Sequence, residues 1–286
     1  MNNKIAYKKI TERVLKELDK GIIAWKQPWL QMSHRNYFSK GEYNGINTIM
    51  CLLAKKPTCE WATFNQITKK GYKVNKGAKG IPIIFTDHFA VKEENKNGEV
   101  KTKFIPWLKY YIIFNISQTN IPIPEYGKTK ELPDCEKVVE ELLNKLGIIT
   151  LKGDRCCYNL KTDQITIPPR EMFQSSEEYY TALFHEIIHA TGTRLSRDMS
   201  TNFGDDLYSK EELVAEIGAT FLAGYCGIDN TIIKNSVAYL QGWRNAIAKD
   251  NRLIVSASSK AQKAVNWLLE KMEVKNESNQ TSKVSR

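Results

Sequence analysis

The stretch Tyr179-Tyr-Thr-Ala-Leu-Phe-His-Glu-Ile-Ile-His-Ala190 determines how the second half of this 286-residue chain is organised. It contains His185-Glu-Ile-Ile-His189, two histidines four residues apart with a glutamate directly after the first. On a helix, residues i and i+4 lie on one face, so both imidazoles can bind the same metal ion. Glu186 then lies close enough to reach a water molecule beside that ion. This pattern is typical of a zinc hydrolase, with two histidine ligands and a carboxylate general base.

The residues around the motif predict that it lies on a helix. Ser175 with Glu178 has the pattern of an N-terminal capping box, and Gly192 is suited to cap the C-terminus. Apolar residues on both sides of the motif predict that the helix is buried, and a buried histidine needs a partner such as a metal. The alternative is a helix with two partly exposed histidines and no metal.

A third metal ligand is expected in the helical segment Tyr208–Leu222. We predict that Glu212 is this ligand and that Glu216, one turn later, orients a ligand histidine through its second ring nitrogen. Glu216 and Glu211 are the alternative ligands. A different interpretation makes Ser209 and Glu212 a capping box and the glutamates a solvated face. Small residues in this helix predict close packing on another helix: Ala215, Gly218, Ala219 and Ala223.

Positive charge is concentrated in the N-terminal half of the chain. The chain has 42 Lys and Arg and 32 Asp and Glu residues, and residues 1–125 hold 21 of the basic but only 10 of the acidic ones. This bias predicts a polyanionic partner, most simply a nucleic acid, whereas ordinary solvated lysines are the alternative. The six cysteines form no C-x-x-C pair, and we find no signal peptide or membrane span. We therefore expect a cytoplasmic protein with reduced thiols and no membrane partner.

Aromatic, basic and amide side chains are interleaved in the first eighty residues. Single-stranded nucleic acids bind where bases stack on flat rings and cations follow the phosphates. The predicted DNA-binding residues are Trp25, Lys26, Trp29, Arg35, Tyr37, Lys40, Tyr43, Asn44, Asn47, Lys73, Lys76 and Lys79. The tryptophans could instead belong to the core of a small domain. We favour that core position for Trp61 and Phe64, and for Trp25 and Trp29 the two interpretations are balanced.

The order of elements predicts an α+β protein with two domains. The first half has helical patterns over residues 3–20, 46–55 and 61–71, followed by strands over 81–91 and 100–116 that the signal Asn97-Gly98 joins as a hairpin. A linker with three prolines over residues 118–133 places the boundary near residue 128. The expected domains are a small basic α+β domain over 1–128 and a second domain over 129–273, with a disordered polar tail over 274–286.

The second half should contain a short sheet beside its helices. We expect strands over 148–151, 156–160 and 164–167, and helices over 134–146, 231–249 and 256–272 besides the two that carry the metal ligands. The strand over 164–167 is expected at the edge of the sheet, where an extended peptide substrate can pair with it.

Over nearly its whole length, the chain resembles the ArdC-type antirestriction proteins of mobile elements. In the first half the resemblance rests on Trp25-x-x-Pro-Trp29, Tyr43-x-Gly-Ile-Asn47, Trp61-x-Thr-Phe-x-Gln66, Val74-x-Lys-Gly-x-Lys-Gly80 and Phe114-Asn-Ile-Ser-Gln118. In the second half it rests on His185-Glu-x-x-His-Ala-Thr-Gly192 and Glu211-Glu-Leu-Val-Ala-Glu216. The resemblance implies an N-terminal single-stranded-DNA-binding domain and a zincin-like metallopeptidase domain. It also implies a role in protecting DNA that enters a cell by conjugation from host restriction.

The spacing Glu212-x-x-x-Glu216 is similar to the Glu-x-x-x-Asp element of thermolysin-like gluzincins. In that element the first carboxylate binds zinc and the second supports a histidine. Gluzincins commonly use a His or Tyr to stabilise the oxyanion, but the other two histidines here, His34 and His88, lie in the basic domain. That role therefore falls to Tyr208, Tyr225 or an arginine.

The resulting hypothesis has two parts. The basic domain binds single-stranded DNA with little base preference. Zn²⁺ on His185, His189 and Glu212 polarises a water that Glu186 deprotonates for attack on a peptide bond of a protein near the DNA. One alternative is a non-catalytic DNA-binding module with a structural zinc, and another is a cytosolic zinc protease whose basic domain recruits acidic substrates.

Overall fold

A computed structural model describes residues 3–20, 23, 34–94, 100–123, 134–199, 206–228 and 237–281, and the structural statements that follow concern these residues. The chain divides into two compact units, which are described separately. Unit 1 consists of Met1–Lys16 and Ser33–Pro124, and unit 2 consists of Glu17–Met32 and Glu125–Arg286. Helices and sheets occur in both, so the predicted α+β class with two domains is confirmed.

Unit 1 is built on a four-stranded sheet with the order β1-β2-β4-β3. Strands β3 and β4 pair antiparallel from Ile81 opposite Ile113 to Glu94 opposite Val100, which confirms the predicted hairpin pairing. The elements are α1 (Asn3–Leu18), β1 (Arg35–Asn36), α2 (Ile46–Leu53), β2 (Glu60–Thr63), α3 (Phe64–Lys69), β3 (Ile81–Glu94) and β4 (Val100–Asn115).

Helix α3 begins three residues later than predicted because Thr63 caps it. The Thr63 hydroxyl accepts from the N–H of Gln66 at 3.2 Å, and the Gln66 side chain accepts from the N–H of Thr63 at 2.9 Å. The residues before this cap are extended and pair with β4. Trp61 is fully buried as predicted, but Phe64 is 53% exposed. The prediction of a core position for Phe64 is wrong because the buried residue of this short helix is Ile67.

Unit 2 combines five helices with a three-stranded sheet of order β5-β7-β6. Strand β7 pairs parallel with β5 and antiparallel with β6, so it is the central strand. The prediction that residues 164–167 form an edge strand is therefore wrong, and the edge strands are β5 and β6. Of these two, β6 contacts the helix that carries the motif. The elements are α4 (Cys135–Leu146), β5 (Ile149–Lys152), β6 (Cys157–Asn159), β7 (Gln164–Ile167), α5 (Ser176–Arg194), α6 (Asp206–Tyr225), α7 (Val237–Lys249) and α8 (Leu253–Thr281).

The ends of three helices differ from the sequence-based expectations. Helix α5 continues two residues past Gly192, so the predicted cap there is wrong; a Cβ on Gly192 would lie 2.2 Å from the Met199 sulfur, which explains the glycine by close packing. Helix α6 begins at Asp206, so Ser209 lies inside it and is not a cap. Helix α8 continues to Thr281, past the predicted end at residue 272, because no Gly or Pro interrupts it, and the disorder predicted for the tail over 274–286 stays a prediction.

Helices α5 and α6 pack closely at Gly218. A Cβ built on Gly218 would lie 2.8–3.1 Å from three side-chain carbons of Ile188, a separation that requires Ile188 to move. Ile188 is fully buried and lies between the two histidines of the motif. The predicted role of small residues in helix packing is thus confirmed at Gly218, and this contact sets the distance between the two helices that carry the predicted ligands.

None of the helices in the described part of the chain is both long enough and apolar enough to cross a membrane. All six cysteines are free thiols, three of them buried and three partly buried.

We expect Gly218→Ala to destabilise unit 2, because the added methyl group displaces Ile188 in a tightly packed core. The loss should be about 1–2 kcal/mol after the better helix propensity of alanine is counted. The matched control is Gly242→Ala in α7, where an added Cβ meets nothing within 4 Å. The control should gain up to about 1 kcal/mol, and urea denaturation followed by circular dichroism measures both.

We expect the stability of unit 1 to fall in weak acid because of His34. Its ring is buried and its Nδ1 accepts from the Trp61 indole N–H at 3.1 Å. Burial lowers the pKa of His34 to about 4, and a hydrogen bond with the backbone of Cys59 opposes this only in part. The folded pKa lies below the unfolded one, so the stabilisation is present above pH 6.5 and is lost as the pH falls toward 4.

The measurement is urea denaturation followed by tryptophan fluorescence at pH 7 and pH 5. The unfolding free energy of the wild type should drop by about 2 kcal/mol more than that of His34→Gln, which keeps an acceptor for the indole but does not titrate. Equal pH dependence of the two proteins would contradict the role of His34.

Candidate metal centre

Three side chains from α5 and α6 converge in unit 2. The Nε2 atoms of His185 and His189 are 3.0 Å apart. One carboxylate oxygen of Glu212 lies 3.3 Å from the Nε2 of His185, and the other lies 3.3 Å from the Nε2 of His189. Among the residues that the structure describes, this is the one group of three or more His, Cys, Asp or Glu side chains placed to share an ion. Glu212 therefore lies where the sequence predicted the third ligand.

The donor atoms are of the kinds that bind a divalent ion such as zinc. Zinc is bound by imidazole nitrogens and carboxylate oxygens at about 2.0–2.2 Å, and two such atoms at a tetrahedral angle are about 3.3 Å apart. The separation of the two Nε2 atoms, 3.0 Å, is close to this value. Each Nε2 atom lies 3.3 Å from a different oxygen of the same carboxylate, so the three side chains converge on one region.

Hydrogen bonds between the His and Glu side chains of this group offset the cost of burying their charges. Burial alone would lower the pKa of His189, but hydrogen bonds to Glu211 and Glu212 outweigh it and raise this pKa to about 10. Burial would raise the pKa of Glu212, but its contacts with His185 and His189 hold that pKa well below its usual range. The carboxylates thus attract a cation to this point, and a metal ion and a proton compete for it.

Glu186 lies beside the group and is held by the sheet. It is buried, and its Oε2 accepts from the backbone N–H of Tyr158 at 2.7 Å. Tyr158 is the middle residue of the edge strand β6, so its N–H points away from β7 and toward α5. The carboxylate is therefore fixed by a backbone group rather than by a mobile side chain.

A second carboxylate, Glu211, supports His189. Its Oε1 lies 3.4 Å from the Nδ1 of His189, on the opposite side of the ring from Glu212. Glu211 is also paired with Arg197, whose Nη2 lies 2.8 Å from the same oxygen. The sequence assigned a supporting role to Glu216, which stays a prediction, and it considered Glu211 only as an alternative ligand. No spacing signal connects Arg197 to Glu211, so this pair was not predicted.

The candidates for oxyanion stabilisation can be narrowed. Tyr225 is thirteen residues after Glu212 on α6, which places it about 20 Å farther along the helix. The suggestion of Tyr225 is therefore wrong. Tyr208 lies one turn before Glu212 on the same helix face, although its side chain is outside the described part, and its role stays a prediction. Arg197 is occupied by Glu211.

Several predicted DNA-binding residues of unit 1 have intramolecular partners. Arg35 donates to the buried carboxylate of Glu60 at 2.8 Å. The hydroxyl of Tyr43 accepts from Asn36 at 3.3 Å, and burial raises the pKa of Tyr43 to about 12. The side chain of Asn47 both donates to and accepts from the backbone of Ile84, at 2.8 Å in each case. These contacts give each of the three side chains a role in the fold, so a contact with DNA is not required to account for them.

The other predicted DNA-binding residues fall into two groups. Trp25, Lys26 and Trp29 lie outside the described residues. The remaining ones are exposed or partly exposed, and Lys40 lies 4.6 Å above the ring of Tyr37. The exposed ones are Lys40, Asn44, Lys73, Lys76 and Lys79. The structure thus leaves the lysine-rich loop before β3 as the most accessible basic segment of the prediction.

Curated relatives match along most of the chain. Two Escherichia coli proteins named DNA primase TraC are 28% and 27% identical over 91% and 92% of this chain, and the protein y4eC of Sinorhizobium fredii is 26% identical over 92%. The match covers 91% of the Sinorhizobium protein. It covers only 19% and 27% of the two primases, so the chain spans about a fifth to a quarter of their length.

Family models and solved structures agree with each other. The model described as the N-terminal domain of anti-restriction factor ArdC matches residues 4–114, and the model described as a zincin-like metallopeptidase matches residues 137–260. Crystal structures of the antirestriction protein ArdC from the R388 plasmid, one metal-free and one Mn(II)-bound, match with TM-scores of 0.72 and 0.73. Each is 32% identical and covers 93% of this chain and 97% of the plasmid protein. With the two family models matched in this order and the plasmid protein aligned over nearly its whole length, the chain belongs to the ArdC-type antirestriction family and has a zincin-like second domain.

Proposed function

We propose that this protein binds single-stranded DNA through unit 1, hydrolyses a peptide bond with a zinc ion held in unit 2, and so protects incoming DNA from restriction in the cytoplasm. The observation that carries the catalytic half is the convergence of His185, His189 and Glu212 with Glu186 fixed beside them. The DNA half is supported by the match of residues 4–114 to the ArdC N-terminal domain and by the basic character of this half of the chain.

The residues of the centre suit a divalent ion and favour zinc. Two imidazole nitrogens and one carboxylate oxygen are the ligand set of many catalytic zinc sites, which keep one further position open. The Mn(II)-bound form of the similar plasmid protein supports a divalent ion as the ligand class. When bound, such an ion supplies Lewis-acid activation of a water molecule and of the substrate carbonyl.

Glu186 would act as the general base and then as the acid. The Tyr158 N–H holds the carboxylate at 2.7 Å, so Glu186 can take a proton from the attacking water without first reorienting. The same carboxyl group then returns the proton to the leaving amine.

We expect Glu186→Gln to bind zinc as the wild type does but to lose hydrolysis by at least about a hundredfold, because the amide cannot accept a proton. His185→Ala should lose both zinc and hydrolysis, because it removes a ligand. Zinc content after dialysis and cleavage of a casein or peptide-library substrate measure the two properties. The control is Glu140→Gln on the exposed face of α4.

The result has a clear contrary outcome. Loss of zinc from Glu186→Gln would mean that Glu186 is a ligand and that the roles are misassigned. A wild type that binds zinc but cleaves none of the substrates would favour the alternative of a structural metal in a DNA-binding protein.

We expect the full chain to bind single-stranded DNA more tightly than duplex DNA, with an affinity that falls steeply with salt. Replacing Lys73, Lys76 and Lys79 together by Gln should weaken binding about tenfold or more at low salt. It should also reduce the slope of log affinity against log salt by up to about 2, because three phosphate contacts are lost. Fluorescence anisotropy of a labelled oligonucleotide measures both effects.

The control replaces Lys152, Lys161 and Lys249, three exposed lysines of unit 2, by Gln and changes the net charge by the same amount. Equal weakening by the two triple variants would show that only overall charge matters. Competition by polyglutamate as effective as that by DNA would refute a nucleic-acid partner and favour the protease that recruits acidic substrates.

A further inference from the structure

The buried guanidinium of Arg197 is connected to the metal centre through one carboxylate. The Arg197 side chain is only 5% exposed. Its Nε donates to the two oxygens of Glu211 at 3.3 and 3.0 Å, and its Nη2 donates to Oε1 at 2.8 Å. Two further hydrogen bonds, each 2.7 Å long, go to the Thr191 hydroxyl and to the carbonyl of Ile188. The planar group is thus held in a single orientation by partners on both helices.

The turn after α5 is shaped to deliver this side chain. Ser196 has a φ of 56°, a left-handed conformation that is uncommon for a residue other than glycine, and it reverses the chain directly after the helix. The N–H of Arg197 then donates to the carbonyl of Gly192 at 2.8 Å. Because Gly192 has no side chain, Met199 packs against the same part of α5. The side chain of Arg197 therefore runs back along α5 toward the motif.

Glu211 transmits the position of Arg197 to a ligand. Its Oε1 is shared between the guanidinium and the Nδ1 of His189. When Nδ1 carries the proton of the neutral ring and donates it to Glu211, the lone pair of Nε2 is free for an ion. Without the hydrogen bonds from Arg197, the Glu211 carboxylate could rotate or turn toward another cation. Glu211 follows directly before Glu212, so a displaced Glu211 would also disturb the neighbouring ligand.

We propose that Arg197 is a positioning residue for the metal centre, which acts through Glu211 to fix the tautomer and orientation of the ligand His189. The inference rests on the proposed function only in that this site binds a metal ion. It does not depend on hydrolysis or on DNA binding. An ion pair that merely joined α5 to α6 would stabilise the fold of unit 2 but would leave metal affinity unchanged once the protein is folded.

The test compares metal binding by full-length Arg197→Lys, Glu211→Gln and the double variant with binding by the wild type. Lysine keeps the positive charge but cannot bond both Glu211 oxygens and Ile188 in the same geometry. Zn²⁺ affinity is measured by competition with a chromophoric chelator, and ligand geometry by the visible spectrum of the Co²⁺ form. The control is Arg155→Lys, which changes an exposed arginine in the same unit.

We expect Arg197→Lys and Glu211→Gln each to weaken Zn²⁺ binding about 10–100-fold and to alter the Co²⁺ spectrum, while the control changes neither. The double variant should have about the same Zn²⁺ affinity as the weaker-binding single variant, because both changes interrupt the same connection. Far-UV circular dichroism establishes that each protein is folded, and if Arg197→Lys does not fold, the nearly isosteric Glu211→Gln still decides.

Two outcomes would overturn the proposal and can be told apart. Wild-type affinity and an unchanged Co²⁺ spectrum in folded Arg197→Lys and Glu211→Gln would show that the ion pair is only structural, and the proposed metal site would stand. Wild-type protein with no more affinity for Zn²⁺ than His185→Ala would remove the metal site itself, and this inference with it.

Discussion

The metal centre depends on the distance between α5 and α6, and the contact of Ile188 with Gly218 sets that distance. Both histidines belong to α5 and the carboxylate belongs to α6, so neither helix can form the site by itself. The separations of 3.3 Å between Glu212 and each imidazole exist only while the two backbones stay close. A side chain at position 218 would act as a spacer within two turns of the ligand on α6, and an error of 1 Å there is large compared with the tolerance of a zinc site.

Burial of so many ionisable groups is possible because each has a specific partner. Glu186, Glu211 and Glu212 are three carboxylates in one small region, and an unpaired charge in such a place would be strongly destabilising. Glu186 is paired with a backbone N–H, Glu211 with a guanidinium, and Glu212 with the two imidazoles. The first two partners are groups outside the proposed ligand set, whereas the partners of Glu212 are the two other proposed ligands.

Sequence alone indicated which side chains converge, most directly where they have a fixed local spacing. His185, Glu186 and His189 are related by one helical turn, and Glu212 was recognised as a carboxylate among apolar residues of a second helix. The sequence failed where a distant contact decides. Gly192 is a residue type common at helix caps, but its role depends on Met199, which a turn brings back against α5. Strand β7 was predicted at an edge, but it pairs with β5 on one side and β6 on the other, and local sequence does not reveal this pairing.

The same limit applies to the basic half of the chain. Arg35 and Asn47 are residue types that often contact nucleic acids. In this fold, however, the Arg35 guanidinium pairs with the buried carboxylate of Glu60, and the Asn47 side chain forms hydrogen bonds with the backbone of β3. A polar residue next to an aromatic one is therefore compatible with either purpose, and only the identity of its partner distinguishes them. The lysines of the loop before β3 are better candidates because their side chains are exposed.

The division of the chain also has a consequence for its biosynthesis. The described helices and strands of unit 1 lie before residue 124, and those of unit 2 lie after residue 133. As the ribosome extends the chain, unit 1 is complete while unit 2 still lacks every residue of its metal centre. The polypeptide therefore acquires its basic module first, and the module with the zincin-like fold is completed after the first has had time to fold.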